Sequence, residues 1–289
     1  RYFYKNPLAT KKPYERQEWY LVPCCPSNLS RTWAALGKYV YSLSDAREED
    51  SDSQVPTIWI HQYVGNKTNL PLGGNAVEVK MRSGFPWKGK VKIDFQLAES
   101  NVNAKKLRIM FRIPSWTSTD HRDSYYGQDG NQSNTMRVRV NGKDRDLSLI
   151  RNTADPVASG IEPFSSEYAK LSLDLESNSV TSVECEFPMP VVVRKMSEKC
   201  TPSMASLTRG PLVYCFESVD NPEINLFDLN LEGSEFIVDS AKTVFSSEPL
   251  LDNAKMIKCK TKNGEELVAI PYFCWANRAP SAFTTNFAF

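Results

Sequence analysis

Apolar and polar residues alternate one by one through segment after segment of this chain, and that period of two limits what it can fold into. Val77-Glu78-Val79-Lys80-Met81, Val91-Lys92-Ile93-Asp94-Phe95-Gln96-Leu97, Leu107-Arg108-Ile109-Met110-Phe111-Arg112-Ile113, Met136-Arg137-Val138-Arg139-Val140 and Leu171-Ser172-Leu173-Asp174-Leu175 each offer one apolar and one polar face. A half-buried antiparallel strand requires this pattern. Asn141-Gly142 and Asn263-Gly264 supply turn signals between such segments. Many short strands joined by such turns predict a mainly β chain of β-sandwich architecture.

One segment has a different period. Leu29, Trp33, Leu36, Val40 and Leu43 recur at spacings of 4, 3, 4 and 3, which predicts a helix over 27–43 with Ser27 as its N-cap after Pro26. The run Asp45 to Gln54 carries charge and serine without apolar period and reads as a solvated linker. Residues 118–135 read as a long polar surface loop. A second β unit starts after Pro190, where Val191 leads into a loop and Leu212-Val213-Tyr214-Cys215-Phe216 opens a fresh strand series. The aromatic stretch near 270–289 supplies the closing strands.

With 35 Lys+Arg against 34 Asp+Glu and no basic run, the long-range pull toward nucleic acid or an anionic membrane is absent. No window approaches the ~20 apolar residues of a membrane span. Neither nucleic acid nor membrane is expected as a partner. A 41% hydrophobic content in 289 residues is enough for about two domains and excludes a disordered chain. The first residue is Arg1, which raises the expectation of a piece of something longer.

Seven cysteines lack the spacing of a disulfide framework and read as mostly reduced thiols, which leaves the compartment open. Cys24 and Cys25 stand out because they open the helical segment. Unpaired N–H groups and the positive end of the helix dipole favour a thiolate there. Two adjacent sulfurs also suit one soft metal such as zinc. The competing reading, two small buried apolar side chains, is the commoner fate of such a pair. His61 lies in a strand-like segment and reads as a hydrogen-bonded structural residue, His121 as a solvated one. No Cys-x-x-Cys or His-x-x-x-His partner completes a metal set. Trp59, Trp87, Trp116 and Trp275 suit core packing better than sugar stacking. The sequons at Asn28, Asn66 and Asn131 are too common a pattern to carry an argument.

The motifs around these cysteines resemble a known family. Phe3-Tyr4-Lys5-Asn6-Pro7-Leu8, Arg16-Gln17-Glu18-Trp19-Tyr20, and Cys24-Cys25-Pro26-Ser27-Asn28 with Arg31 resemble the late catalytic-domain motifs of glycoside hydrolase family 127, the β-L-arabinofuranosidase family. Phe85-Pro86-Trp87-Lys88-Gly89, Arg112-Ile113-Pro114-Ser115-Trp116, Val140-Asn141-Gly142, Thr208-Arg209-Gly210-Pro211-Leu212-Val213-Tyr214 and Trp275-Ala276-Asn277-Arg278 follow in the family's order. The resemblance implies two β-sandwich domains preceded by a short helical remnant of an (α/α)6 barrel. The expected division is residues 1–45 for the last barrel segment, 46–192 for the first sandwich and 193–289 for the second.

The implied activity is that of a retaining exo-glycosidase releasing L-arabinofuranose or a related sugar from plant-type glycans. Cys24 is then the nucleophile, Cys24 and Cys25 are zinc ligands, and Tyr4 lines the sugar site. A further cysteine, a ligating glutamate and an acid/base glutamate belong to the barrel upstream, which makes that missing barrel a partner of this chain. By the same resemblance the isolated chain is inactive and binds zinc weakly. The alternative is a non-catalytic carbohydrate-binding or scaffolding β-sandwich module with both thiols inert.

Overall fold

In a computed structural model the chain is described at residues 4–22, 24–44, 55–72, 75–98, 105–117, 126–127, 136–152, 166–196 and 204–289. The linker 45–54, Phe3, His121, Asn131, Cys200 and most of the 118–135 loop lie outside the described residues. The described residues group into two compact units. One, here the central unit, lies within 24–118 and 134–188. The other, the terminal unit, combines residues from 4–22, 126–127 and 189–289.

The central unit is a sandwich. One sheet runs in the order Lys143–Arg145, Arg137–Val140, Val180–Glu186, Lys90–Leu97, Asn75–Ser83, Asn66–Leu72. The other runs Ser148–Asn152, Ser166–Leu175, Lys105–Ile113, Thr57–Ile60, Tyr41–Ser44. Every pairing is antiparallel except that of Thr57–Ile60 with Lys105–Ile113, which is parallel. The alternation read from the sequence sets the faces: Val79, Ile93 and Phe95 of the first sheet share one core with Ile58, Ile109, Phe111 and Ala169 of the second. Burying each large side chain is worth about 1.5–3 kcal/mol. The outward ion pairs, such as Lys67–Glu78 at 3.0 Å and Lys92–Glu184 at 3.2 Å, are solvent-exposed and contribute about 0–1 kcal/mol each. The core therefore holds the sandwich.

Asn141 and Gly142 take φ of 48° and 79° and connect the directly paired Val140 and Lys143. Both central residues of this tight hairpin need positive φ, which Asn-Gly tolerates. The family-like segments 85–89 and 112–116 converge on one aromatic cluster, with Phe85 5.4 Å from both Trp116 and Phe187, and Tyr63 4.8 Å from Phe187. Tyr63 donates a hydrogen bond to the Arg112 carbonyl at 2.6 Å, and Arg112 Nε donates to the His61 carbonyl at 2.6 Å. These motifs serve packing.

His61 is structural, as its strand context predicts: its ring nitrogens lie 2.8 Å from Tyr168 Oη and 2.7 Å from Ser42 Oγ. Burial, with help from the Arg112 charge, pushes its pKa below the usual value. The unfolded chain, with a histidine near ~6.5, binds more protons than the native state between the two pKa values. Native stability therefore falls as the pH drops through that window. The midpoint of urea unfolding should decrease from pH 7.5 to pH 5.5, and His61→Gln should flatten that slope; equal slopes would contradict the assignment.

The terminal unit is built on a ten-stranded sheet ordered Glu235–Ser240, Lys255–Lys260, Glu266–Pro271, Leu212–Glu217, Met204–Arg209, Val191–Met196, Tyr126–Gly127, with three more strands joining off this path. Met204–Arg209 and Leu212–Glu217 pair only near their hairpin, at Leu207–Arg209 with Leu212–Tyr214. Asn286–Ala288 and Ser281–Thr284 take up the remaining lengths. The sheet thus forks around Leu207, Tyr214, Phe216, Ile257 and Phe287, which form its core. Ala9–Tyr14 adds to Ser281–Thr284 across the length of the sequence.

Two local expectations are corrected. The helix spans Cys24–Ala34, not 27–43, and is followed by a 3-10 turn at Leu36–Tyr39 and a strand at Tyr41–Ser44. Gly37 weakens the helix, and the aromatic and β-branched Tyr39-Val40-Tyr41 lead into an edge strand stabilised by pairing with Thr57–Ile60. Tertiary pairing overrides the helical period. Within the stretch read as loop, Tyr126–Gly127 pairs with Lys195 and Met196. No helix among the described residues is long and apolar enough to cross a membrane.

Candidate functional site

Cys24 and Cys25 form the first turn of the 11-residue helix, and both are exposed. Their sulfurs lie 3.9 Å apart, well beyond the ~2.05 Å of a disulfide. Ser27 is not the N-cap: it sits inside the helix and its hydroxyl donates to the Cys24 carbonyl at 2.9 Å. Asn28 Nδ2 donates to the same carbonyl at 3.3 Å. Both side chains of the motif thus brace the turn that carries the sulfurs.

The spacing of the sulfurs has a chemical meaning. Two thiolates at Zn–S distances of ~2.3 Å and a tetrahedral angle stand about 3.8 Å apart. The pair therefore fits the bite of one tetrahedral zinc ion. Among the described residues no group of three or more His, Cys, Asp or Glu side chains comes together to hold a metal. Cys24 and Cys25 supply two ligands, and a structural four-coordinate site needs two more.

The other described cysteines differ in kind. Cys185, Cys215, Cys259 and Cys274 are buried. Burial pushes the Cys259 and Cys274 thiols up to about 12, and it raises the Cys185 and Cys215 thiols well above the usual value. Such thiols are poor nucleophiles at neutral pH. In a Cys200→Ser background, an excess of a soluble disulfide reagent should modify Cys24 and Cys25 at once and the other four only in denaturant. Rapid modification of Cys274 or Cys215 in the native protein would refute this division.

None of the residues of helix Cys24–Ala34 is buried. Leu29 is 68% exposed and Trp33 76%, although they form the apolar stripe; in the same period only Val40 is buried. An isolated helix of this length is marginal in water, because few hydrogen bonds offset a costly nucleus. Its apolar face is unmatched among the described residues.

Tyr4 belongs to the terminal unit and the cysteine pair to the central unit. The Tyr4 backbone N–H donates to Tyr20 Oη at 3.0 Å, and the two rings are 5.4 Å apart. Trp275 is fully buried and Trp116 packs with Phe85, which leaves neither as a sugar platform. Sequence reasoning missed a buried ionic cluster. Arg278 donates to Glu217 at 2.7 Å and to Asp220 at 2.6 and 2.5 Å, and Glu217 also accepts the Ala276 N–H. Only the Trp-Ala-Asn-Arg motif hinted at it, and its acidic partners lie some sixty positions earlier.

Comparison with known proteins places these features in context. Residues 57–189 match the family described as the beta-L-arabinofuranosidase, GH127 middle domain, and residues 195–285 match the glycoside hydrolase family 127 C-terminal domain. The non-reducing end beta-L-arabinofuranosidase of Bifidobacterium longum subsp. longum is 24% identical over 309 residues, covering 96% of this chain and 40% of its own length. A solved GH127 beta-arabinofuranosidase superposes with a TM-score of 0.72 at 24% identity, over 99% of this chain and 42% of that one. A GH127 beta-L-arabinofuranosidase from Geobacillus stearothermophilus T6 gives 0.69 at 24%, with the same coverage. These likenesses confirm the mainly β fold. The chain spans about two fifths of the relatives it matches.

Proposed function

The chain belongs to glycoside hydrolase family 127, and from that premise we propose that it is the C-terminal part of a retaining exo-glycosidase that releases L-arabinofuranose or a related sugar from plant-type glycans. The observation that carries this reading is the exposed pair of sulfurs, 3.9 Å apart in the first turn of a helix whose apolar face has no cover among the described residues. An upstream helical barrel accounts for that face and for the ligands the pair lacks.

In this reading the Cys24 sulfur attacks the anomeric carbon. A C–S bond forms, the glycosidic C–O bond breaks, and its electron pair leaves on the aglycone oxygen, which takes a proton from a glutamic acid of the barrel. The resulting glutamate then draws a proton from water as that water attacks the same carbon and returns the sulfur. Two inversions give net retention. Cys24 and Cys25 would hold zinc, which supplies a positive charge that keeps a coordinated sulfur ionised at neutral pH. The remainder of the chain contributes two β units, each with its own core, and the cysteine motif belongs to the central one. Tyr4 is the proposed sugar contact, through the ring that it rests on Tyr20.

The test uses a longer protein that carries this chain behind its upstream domain. It should cleave an aryl β-L-arabinofuranoside with retention at the anomeric carbon by proton NMR, and lose that turnover in Cys24→Ala. The 289-residue chain alone should be inactive and release zinc to a weak chelator. Absence of turnover on any aryl pentofuranoside, with bound zinc present, would overturn the proposal.

A further inference from the structure

The outer face of the first sheet of the central unit holds a cleft of about 410 Å³, a size within the ~300–1,000 Å³ of small-molecule sites. Strand register builds it. Arg139, Glu184, Lys92 and Arg82 stand opposite one another on four neighbouring strands, and Arg137, Glu186 and Lys90 form a second row beside them. Val91, Val138 and Cys185, which alternate with these residues, are buried in the core. The charged groups of both rows therefore face outward.

Five cations against two carboxylates line this cleft, in a chain whose formal net charge is only +1. Each row seats one glutamate between cations on both sides, and one carboxylate does not neutralise two. Glu184 takes Lys92 at 3.2 Å, whereas Glu186 reaches Lys90 only at 3.9 Å. Arg139 turns its Nε to Asp144 at 2.8 Å and Arg82 an Nη to Asp94 at 2.5 Å, and both of those acids lie outside the lining. Arg137 makes no ion pair with a described residue. The existing pairs are exposed and screened by solvent, so a ligand carboxylate competes for the same donors.

We propose that this cleft binds the carboxylates of an acidic glycan, a chain that contains uronic acid rings. The planar forks of Arg137 and Arg139 match carboxylates bidentately, and Lys90 and Lys92 add point charges beside them. Glu184 and Glu186 accept hydrogen bonds from ring hydroxyls. The same two glutamates repel a phosphate polymer, whose charge is denser and has no hydroxyl donors to offer them in return. A glycan is the ligand class that fits a chain of a glycoside hydrolase family. The proposal rests on that membership and not on the chemistry of Cys24.

In calorimetry the 289-residue chain should bind an oligomer of galacturonic acid, and the affinity should fall at least about five-fold when ionic strength rises from ~0.02 M to ~0.3 M. Arg137→Ala and Arg139→Ala should each weaken binding about ten-fold, the scale of a charge-assisted hydrogen bond. Both side chains are exposed, so the melting temperature should hold. Lys258→Ala removes an exposed cation of the terminal unit and should leave the affinity unchanged. Cys24→Ala should leave it unchanged too, which separates this site from the nucleophile reading. No binding, equal binding by the two arginine variants, equal binding of a neutral galactose oligomer, or tighter binding of a sulfated oligosaccharide or an oligonucleotide of the same length would each overturn the proposal.

Discussion

Cys24→Ala in the longer enzyme will lower turnover of an aryl β-L-arabinofuranoside by at least about 10⁴-fold, the scale on which removal of a covalent nucleophile acts. Folding should be untouched, because the side chain is exposed and the helix it opens buries none of its residues. Loss of activity without loss of stability is the signature sought. Added azide should restore cleavage of an activated aryl glycoside and yield the glycosyl azide of inverted configuration, since the cavity left by the sulfur admits a small anion. Cys25→Ala should lower activity together with zinc content and should not be rescued by azide, which separates a ligand from the nucleophile. A Cys24→Ala enzyme that keeps a tenth of its activity would remove the sulfur from the chemistry.

The second large effect concerns stability. Glu217 is 1% exposed, and its carboxylate is matched by Arg278 and the Ala276 N–H. Burial, helped by the neighbouring Asp220 charge, pushes the Glu217 pKa up, and these two donors oppose that shift. Removing one partner strands the other charge in a low-dielectric interior, which costs about 3–5 kcal/mol. Arg278→Ala and Glu217→Ala should each lower the melting temperature of the terminal unit by at least about 10 °C. Arg278 also stacks 5.2 Å from the Phe245 ring, so its loss removes packing as well as charge. The triple replacement Glu217→Met, Asp220→Asn and Arg278→Leu should cost less than the sum of the single alanine variants, because it leaves no uncompensated charge in the cluster. A shift of a degree or two in either single variant would show the cluster to be solvated.

The strands were legible because their signal is local. Val91, Ile93, Phe95 and Leu97 point inward for the simple reason that every second side chain of a strand shares a face. Asn141-Gly142 was legible for the same reason, since a positive φ is a property of the residues themselves. The end of the helix was not. Leu36, Val40 and Leu43 keep the helical spacing, yet Tyr41–Ser44 pairs with Thr57–Ile60, and only the register of those strands decides between the two. The cluster of Glu217, Asp220 and Arg278 was hidden likewise, because its members meet through pairing around Leu212–Glu217 and Glu266–Pro271.

The sequence by itself determined the alternating faces, the tight turns and the adjacency of two sulfurs, all of which depend on neighbours within a few residues. Tertiary structure alone decided that, among the described residues, four cysteines are sealed and two are open, that Ala9–Tyr14 lies on a strand from the far end of the chain, and that Arg16 grips the carbonyls of Phe273 and Trp275. Burial and long-range pairing depend on which distant surfaces exclude water together, and no local pattern specifies that choice.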